Sequence, residues 1–273
     1  MSDGDLEEIE AILRAEPSEL RNEIVCDIGN FTVALFGVFE SKSGDRLQLA
    51  GTGTLVTVLG SHYILTAAHV WEEVLKSARM VGMTLKEKTD HRFLMEANEI
   101  VKSGLPTPNS WGEWGPDLAL LCVPPERVGS IQAYGRTFYN LTKSRESTPD
   151  VDCIETYVLM GTPEAAGTFT QTHADIQING FFALVDASVQ SRDNLDYLDF
   201  NLGELSPGIP ENFGGVSGGG LWKVHVYKSA SCGKIQWLRS LQGVAFYHQK
   251  DLAIIRCHGE QSIGAVMQNA KPS

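Results

Sequence analysis

No two of the five cysteines, Cys26, Cys122, Cys153, Cys232 and Cys257, form a CxxC pair. An odd, widely spaced set excludes a zinc ribbon or a full disulfide framework and points to free, buried thiols. The seven histidines show neither HxH nor HxxxH spacing, so no metal centre is expected. No Gly-rich phosphate loop occurs either. GTGT at 51–54 lacks the third glycine of a dinucleotide fingerprint and runs into strand-like residues, which marks a turn or close strand packing and implies no cofactor. Apolar runs are short, and none reaches the roughly 18 residues that a spanning helix requires. The opening MSDGDLEEIEAILRAEP has neither a basic start nor an apolar stretch of signal-peptide length. Neither membrane insertion nor secretion is expected, and a cytoplasmic location is. Basic charge is scarce as well: 22 Lys and Arg stand against 34 Asp and Glu, a formal net charge of −12. Such a surface repels phosphate backbones, so nucleic acid is not an expected partner.

What is present is an ordinary globular composition, 42% hydrophobic and 21% charged over 273 residues, enough for one large β domain or two compact lobes. Residues 1–28 form an acidic N-terminal segment in which Leu6, Ile9, Ile12 and Leu13 recur at helical spacing. That spacing predicts one short amphipathic helix ending before Pro17, with the acids on its solvated face. From residue 29 the pattern changes to short β-rich runs, TVALFGVF, RLQLAGTGTLVTVLG and HYILTAAHV. LALLCV then meets Pro124 and Pro125, which cannot continue a ladder, so a first lobe is expected to close at about 125. A mixed connector covers about 126–150. A second β series over about 151–258 comprises VDCIETYVLMG, FFALVDA, GLWKVHVY, IQWLRSLQGVAFYH and LAIIRCHG, before a closing helix within 259–273. The expected class is all-β, two six-stranded antiparallel barrels with short N-terminal and C-terminal helices.

Three segments carry chemistry. In ILTAAHV, His69 follows an apolar strand and two alanines, small residues that let a base sit against a barrel wall. A histidine at a strand end is also an ordinary packing or capping residue, and its neighbours favour the base. In GPDLALL, Asp117 precedes an apolar strand, where a buried carboxylate needs a partner. An imidazole N–H is such a partner, because the carboxylate then fixes its tautomer. In FGGVSGGGLW, Ser217 lies among Gly214, Gly215, Gly218, Gly219 and Gly220. Removing side chains there lets the amides of Gly215 and Ser217 converge on one point, as an oxyanion hole requires.

TAAHV, DLALL and GGVSGG, in this order, resemble the signature segments of the trypsin-like (chymotrypsin-fold) serine peptidases. The resemblance covers about residues 30–258, although only these segments are specific. It implies a serine endopeptidase with an active site between the lobes. Ser217 is the nucleophile, His69 the general base, Asp117 its orienting partner, and Gly215 and Ser217 the oxyanion donors. It also implies a protein or peptide substrate. Val216 stands where secreted members carry the aspartate of the zymogen switch, and the family's disulfides are missing, so the resemblance is closer to bacterial or HtrA-like intracellular members. With no zymogen device, narrow specificity or a restraining or activating protein partner is expected, in a setting such as bacterial stress or defence. By the same analogy Glu211 is a candidate for the pocket base or an exposed loop carboxylate. Phe246, Tyr247 and His248 are candidates for an edge that pairs with extended substrate. The competing reading is a protease-like module that binds peptides without cutting them.

Overall fold

The computed structural model describes residues 3–42, 44–84, 93–106, 108, 110–143, 149–164, 167–169, 174–184, 187–202 and 213–271. Two helices, not one, precede the first strand. α1 (Asp3–Arg14) buries Ile9 and Leu13 and pairs Arg14 with Glu10 at 2.9 Å on its outer side. α2 (Glu19–Gly29) begins at Ser18, whose hydroxyl accepts the Arg21 N–H at 3.2 Å, and buries Leu20, Ile24 and Ile28. A serine cap followed by apolar residues four apart makes a sound helix. The buried face also carries Arg21, a charged residue beside Leu20, with Val25 half-buried next to Ile24, and this interruption is why periodicity alone passes over it.

The body is two antiparallel β-lobes. The first contains β1 (Thr32–Phe39), β2 (Arg46–Val58), β3 (Ser61–Thr66), β4 (Met80–Met83), β5 (Phe93–Glu96), β6 (Lys102–Gly104) and β7 (Ala119–Cys122), in the spatial order β5-β4-β1-β2-β3-β7-β6. Pro124 and Pro125 stop β7, and Pro125 opens α3 (Pro125–Ala133), where a missing N–H leaves no bond unmade. β8 (Tyr139–Asn140) then adds to β2 in parallel. The second lobe starts with β9 (Ile154–Gly161), while β10 (Gly167–Phe169) and β11 (Ala174–Ile176) form a separate hairpin. β12 (Asn179–Ala183), β13 (Ser188–Arg192), β14 (Leu195–Asn201), β15 (Gly220–Lys228), β16 (Ile235–Gln249) and β17 (Ile254–His258) complete it, in the order β12-β9-β15-β16-β17-β14-β13. α4 (Glu260–Gln268) follows. This is the two-lobed all-β arrangement of a chymotrypsin-like fold, with seven strands on each main path where six were expected.

The β13–β14 hairpin accounts for part of the difference in the second lobe. SVQSR is exposed throughout and carries no alternation to read, and its turn is made by Asp193 and Asn194 at φ of 53° and 62°. Two consecutive positive φ values give a hairpin turn whose twist matches the strands, built here without the glycine that usually announces it.

Helices and both sheets share one core. Ile9, Leu13 and Ile24 of α1 and α2, Ile263 and Val266 of α4, Val56 and Leu120 of the first lobe, and Val158, Trp222 and Val244 of the second belong to one buried cluster. Trp222 is fully buried, stacked on Phe31 at 5.5 Å and edge-on to Tyr139 at 4.8 Å. Such apolar contacts are worth about 1.5–3 kcal/mol per large side chain, so the lobes are not free to slide. All five cysteines are free, but only Cys122 and Cys257 are buried; Cys153 is half-buried, and Cys26 and Cys232 are exposed. No helix among the described residues is long and apolar enough to cross a membrane.

Candidate active site

β3 ends at Thr66, and buried Ala67 and Ala68 carry the chain to His69, which enters a helical turn over Val70–Val74. Asp117 grips this residue twice. Its Oδ2 lies 2.6 Å from His69 Nδ1, and its Oδ1 accepts the His69 backbone N–H at 2.9 Å. The carboxylate is 3% exposed and the imidazole 20%. A buried carboxylate is costly without such bonds, and two of them, one to the ring, also fix the ring's tautomer. With Nδ1–H donating to Asp117, Nε2 is the ring's free acceptor. The Trp111 ring stands 5.9 Å away, tilted by 59°.

Asp117 belongs to the first lobe, yet the chain before it is tied to the second. Arg256 Nη1 donates to Glu113 Oε1 at 2.7 Å, Tyr197 Oη donates to the Trp114 carbonyl at 2.5 Å, and the Asp117 N–H donates to His258 Nε2 at 3.0 Å. His258 is fully buried and stacks on Phe246 at 4.3 Å. Accepting through Nε2 makes it a neutral ring with the proton on Nδ1. Burial pushes its pKa down to about 4, against a smaller upward pull from Asp117.

A pH dependence follows. Between the ordinary value near 6.5 and about 4, unfolded chains bind a proton at this histidine that folded ones refuse. Stability is therefore complete above about pH 6.5 and falls as pH drops through that window, by about 3 kcal/mol from this group. Urea unfolding at pH 7 and pH 4.5 is expected to show a larger loss in the native chain than in His258→Gln, whose amide oxygen supplies the acceptor without titrating. Equal losses would remove His258 as the cause.

Ser217 lies in the turn between Phe213 and β15, where four successive carbonyls are held. Gly214 O accepts from Glu164 N at 2.7 Å, Gly215 O from Thr52 Oγ1 at 2.7 Å, Val216 O from Gly219 N at 2.8 Å, and Ser217 O from Thr52 N at 2.8 Å. In a planar trans peptide the C=O and the following N–H point in opposite directions. Fixing Gly214 O on Glu164 and Val216 O on Gly219 thus turns the N–H groups of Gly215 and Ser217 away from those two partners. Neither amide donates to another described residue. Gly215 has φ +87°, and a Cβ there would stand 2.3 Å from Thr162 O, so both its backbone conformation and its space require glycine.

His69 and Asp117 are thus in contact, and Ser217 borders them without bonding to either. At Gly51, an added Cβ would lie 2.7 Å from Ser217 O and 2.7 Å from Val70 Cγ2, so the turn and the His69 segment meet over one glycine. Among the described residues Ser217 Oγ has no hydrogen-bond partner, His69 Nε2 included. Ser217 shares the lining of a shallow, open concavity with Phe213, Val216, Ala245, Phe246, Tyr247 and His248. Two members of the expected edge also pack inward: Phe246 on His258, and His248 edge-on to Phe213 at 4.8 Å. Burial, with a smaller push from Lys250, lowers His248 below the ordinary imidazole range. Glu211 lies outside the described residues. His62 is half-buried, edge-on to Phe138 at 4.6 Å. His258 packs on Phe246 and also anchors Asp117. Thr52 and Trp111 went unnoticed, since contacts of a strand hydroxyl or a loop indole across the fold leave no local pattern. Among the described residues no cluster of His, Cys, Asp and Glu could hold a metal ion.

No family model matches the chain, and no curated protein matches it. Solved structures do. One is tobacco vein mottling virus protease, at 11% identity and TM-score 0.43, over 90% of this chain and 85% of that one. Another is a catalytically inactive tobacco etch virus protease complexed with substrate, at 9% identity and TM-score 0.41, over 90% and 87%. A third structure concerns the intrinsically disordered Sesbania mosaic virus VPg protein, at 15% identity and TM-score 0.41, over 84% and 85%. None of these is a bacterial HtrA-like enzyme, and no family membership follows from likeness this distant.

Proposed function

We propose that this chain is a serine endopeptidase acting through an acyl-enzyme intermediate. The observation that carries the reading is the double grip of Asp117 on His69, through ring Nδ1 and backbone N–H, which leaves Nε2 to take a proton. In the proposed reaction Ser217 Oγ attacks the carbonyl carbon of a peptide bond as its proton passes to His69 Nε2. The carbonyl oxygen becomes an oxyanion facing the Gly215 and Ser217 amides. The C–N bond then breaks, and the amine leaves with the proton from His69. Water, deprotonated by the same nitrogen, attacks the ester carbonyl and releases the acid and free Ser217. No cofactor is required. The held carbonyls of the turn favour a site formed at rest, so restraint by narrow specificity fits better than restraint by loop remodelling. A cytoplasmic location and a protein or peptide substrate belong to the same proposal.

One observation favours a second reading, a module that binds peptides without cutting: the unbonded Ser217 Oγ. Apo enzymes often close this contact only with substrate present, so the two readings part on reactivity. Incubation with a fluorophosphonate at neutral pH is expected to attach one phosphonyl group, on the peptide containing Ser217. A chain that stays unlabelled while still binding peptides would establish the second reading.

A further inference from the structure

Thr52 sits on β2 and is fully buried, and every polar atom it has is engaged. Its N–H donates to Ser217 O at 2.8 Å, and its Oγ1 donates to Gly215 O at 2.7 Å and accepts the Thr162 N–H at 3.0 Å. Its carbonyl accepts from Thr66 Oγ1 at 2.7 Å. Thr66 is the last residue of β3, and His69 follows three positions later. One threonine of the first lobe therefore touches the strand that delivers His69, the turn that carries Ser217, and the β9 end of the second lobe.

The hydroxyl is the part that a strand does not need. β2 keeps its ladder to β1 through the backbone, so Oγ1 is spent on Gly215 O and Thr162 N alone. Gly215 O belongs to the peptide unit between the two amides that donate to no other described residue. If it were released, the Gly215–Val216 peptide would keep only the bond from Val216 N–H to Phe213 O at 3.0 Å, and the direction of the neighbouring N–H groups would be less firmly set. Space agrees with this reading: a Cβ on Gly218 would lie 2.0 Å from Thr52 O and 2.1 Å from Thr66 Oγ1, so the turn rests directly on the threonine pair.

We propose that Thr52 is a positioning residue for the acyl transfer described above, its hydroxyl locking the Gly215–Ser217 turn so that both amides face the cleft. The proposal rests on the serine-peptidase reading for its catalytic effect and on geometry alone for its structural one. Thr52→Val keeps the shape and removes the hydroxyl; Thr52→Ser keeps the hydroxyl.

Two readouts test it. With a fluorophosphonate and a peptide substrate, Thr52→Val is expected to lose about 10²-fold in labelling rate and in kcat with KM nearly unchanged, the size of one lost oxyanion donor, and Thr52→Ser to recover most of it. By hydrogen exchange, the peptide spanning 213–219 is expected to exchange faster in Thr52→Val than in Thr52→Ser, while β9 and β15 keep their protection. If Thr52→Val does not fold, Thr52→Ala carries the same expectations. Native labelling and native exchange in the hydroxyl-free variant would overturn the proposal. So would a loss that Thr52→Ser fails to recover, since it would trace to the missing methyl. If the native chain itself does not react, the peptidase reading fails, and exchange in the turn alone still decides whether the hydroxyl holds it.

Discussion

Ser217→Ala is expected to lower peptide turnover by about 10⁶-fold and to abolish phosphonylation, leaving about 10³–10⁴-fold acceleration over water from the amides and from binding. The size follows from what alanine removes. No other described hydroxyl stands in the turn, and the serine side chain forms no hydrogen bond to another described residue that its loss would break. Folding should therefore be unaffected, and thermal melting of the variant should match the native chain. Turnover by the variant at more than a hundredth of the native rate would mean that another group is the nucleophile. His69→Ala should fall as far, and the double variant little further, because the two residues act on one proton.

Asp117→Asn is expected to cost about 10⁴-fold in kcat, and here the direction of the amide can be deduced. One carboxylate oxygen accepts the His69 backbone N–H, a donor that cannot change roles. The asparagine oxygen must take that place, which turns its NH2 toward Nδ1, 2.6 Å away in the native pair. Nδ1 then has to accept, and the ring proton moves to Nε2, where it blocks removal of the Ser217 proton. Imidazole ¹⁵N shifts should report the exchanged tautomer, and the fold should persist because both hydrogen bonds survive. Activity within tenfold of native would show that the Asp117–His69 pair does not serve catalysis.

The sequence made some of this legible and hid the rest for physical reasons. TAAHV and DLALL could be read because a small-residue approach and a carboxylate at a strand start have few other uses, and the two side chains do meet. GTGT marks a turn or close strand packing, and of these it is the packing that the structure has: the segment lies within β2, and a Cβ on Gly53 would stand 2.4 Å from Ile64 Cγ2. Thr52, within that same motif, was illegible in its role: its hydroxyl acts on a carbonyl 163 positions away, and no periodicity encodes a partner so distant. The same holds for His258 and Asp117, 141 positions apart. α2 escaped because a buried arginine interrupts its apolar face, and β13 because an edge strand exposed on both faces has no alternation at all. Burial patterns write themselves into a sequence. Long-range hydrogen bonds do not.

The bond between Asp117 and His258 has a meaning in time as well as in space. A ribosome delivers the chain in order, so β3, β7 and the His69–Asp117 pair emerge and can fold long before β17 does. Until β17 docks between β14 and β16, the Asp117 amide lacks its acceptor and the wall behind the carboxylate is absent. Under the proposed chemistry, a half-made chain is a poor protease. The site that this chemistry requires would be complete only late in synthesis, once the second lobe has closed over the first.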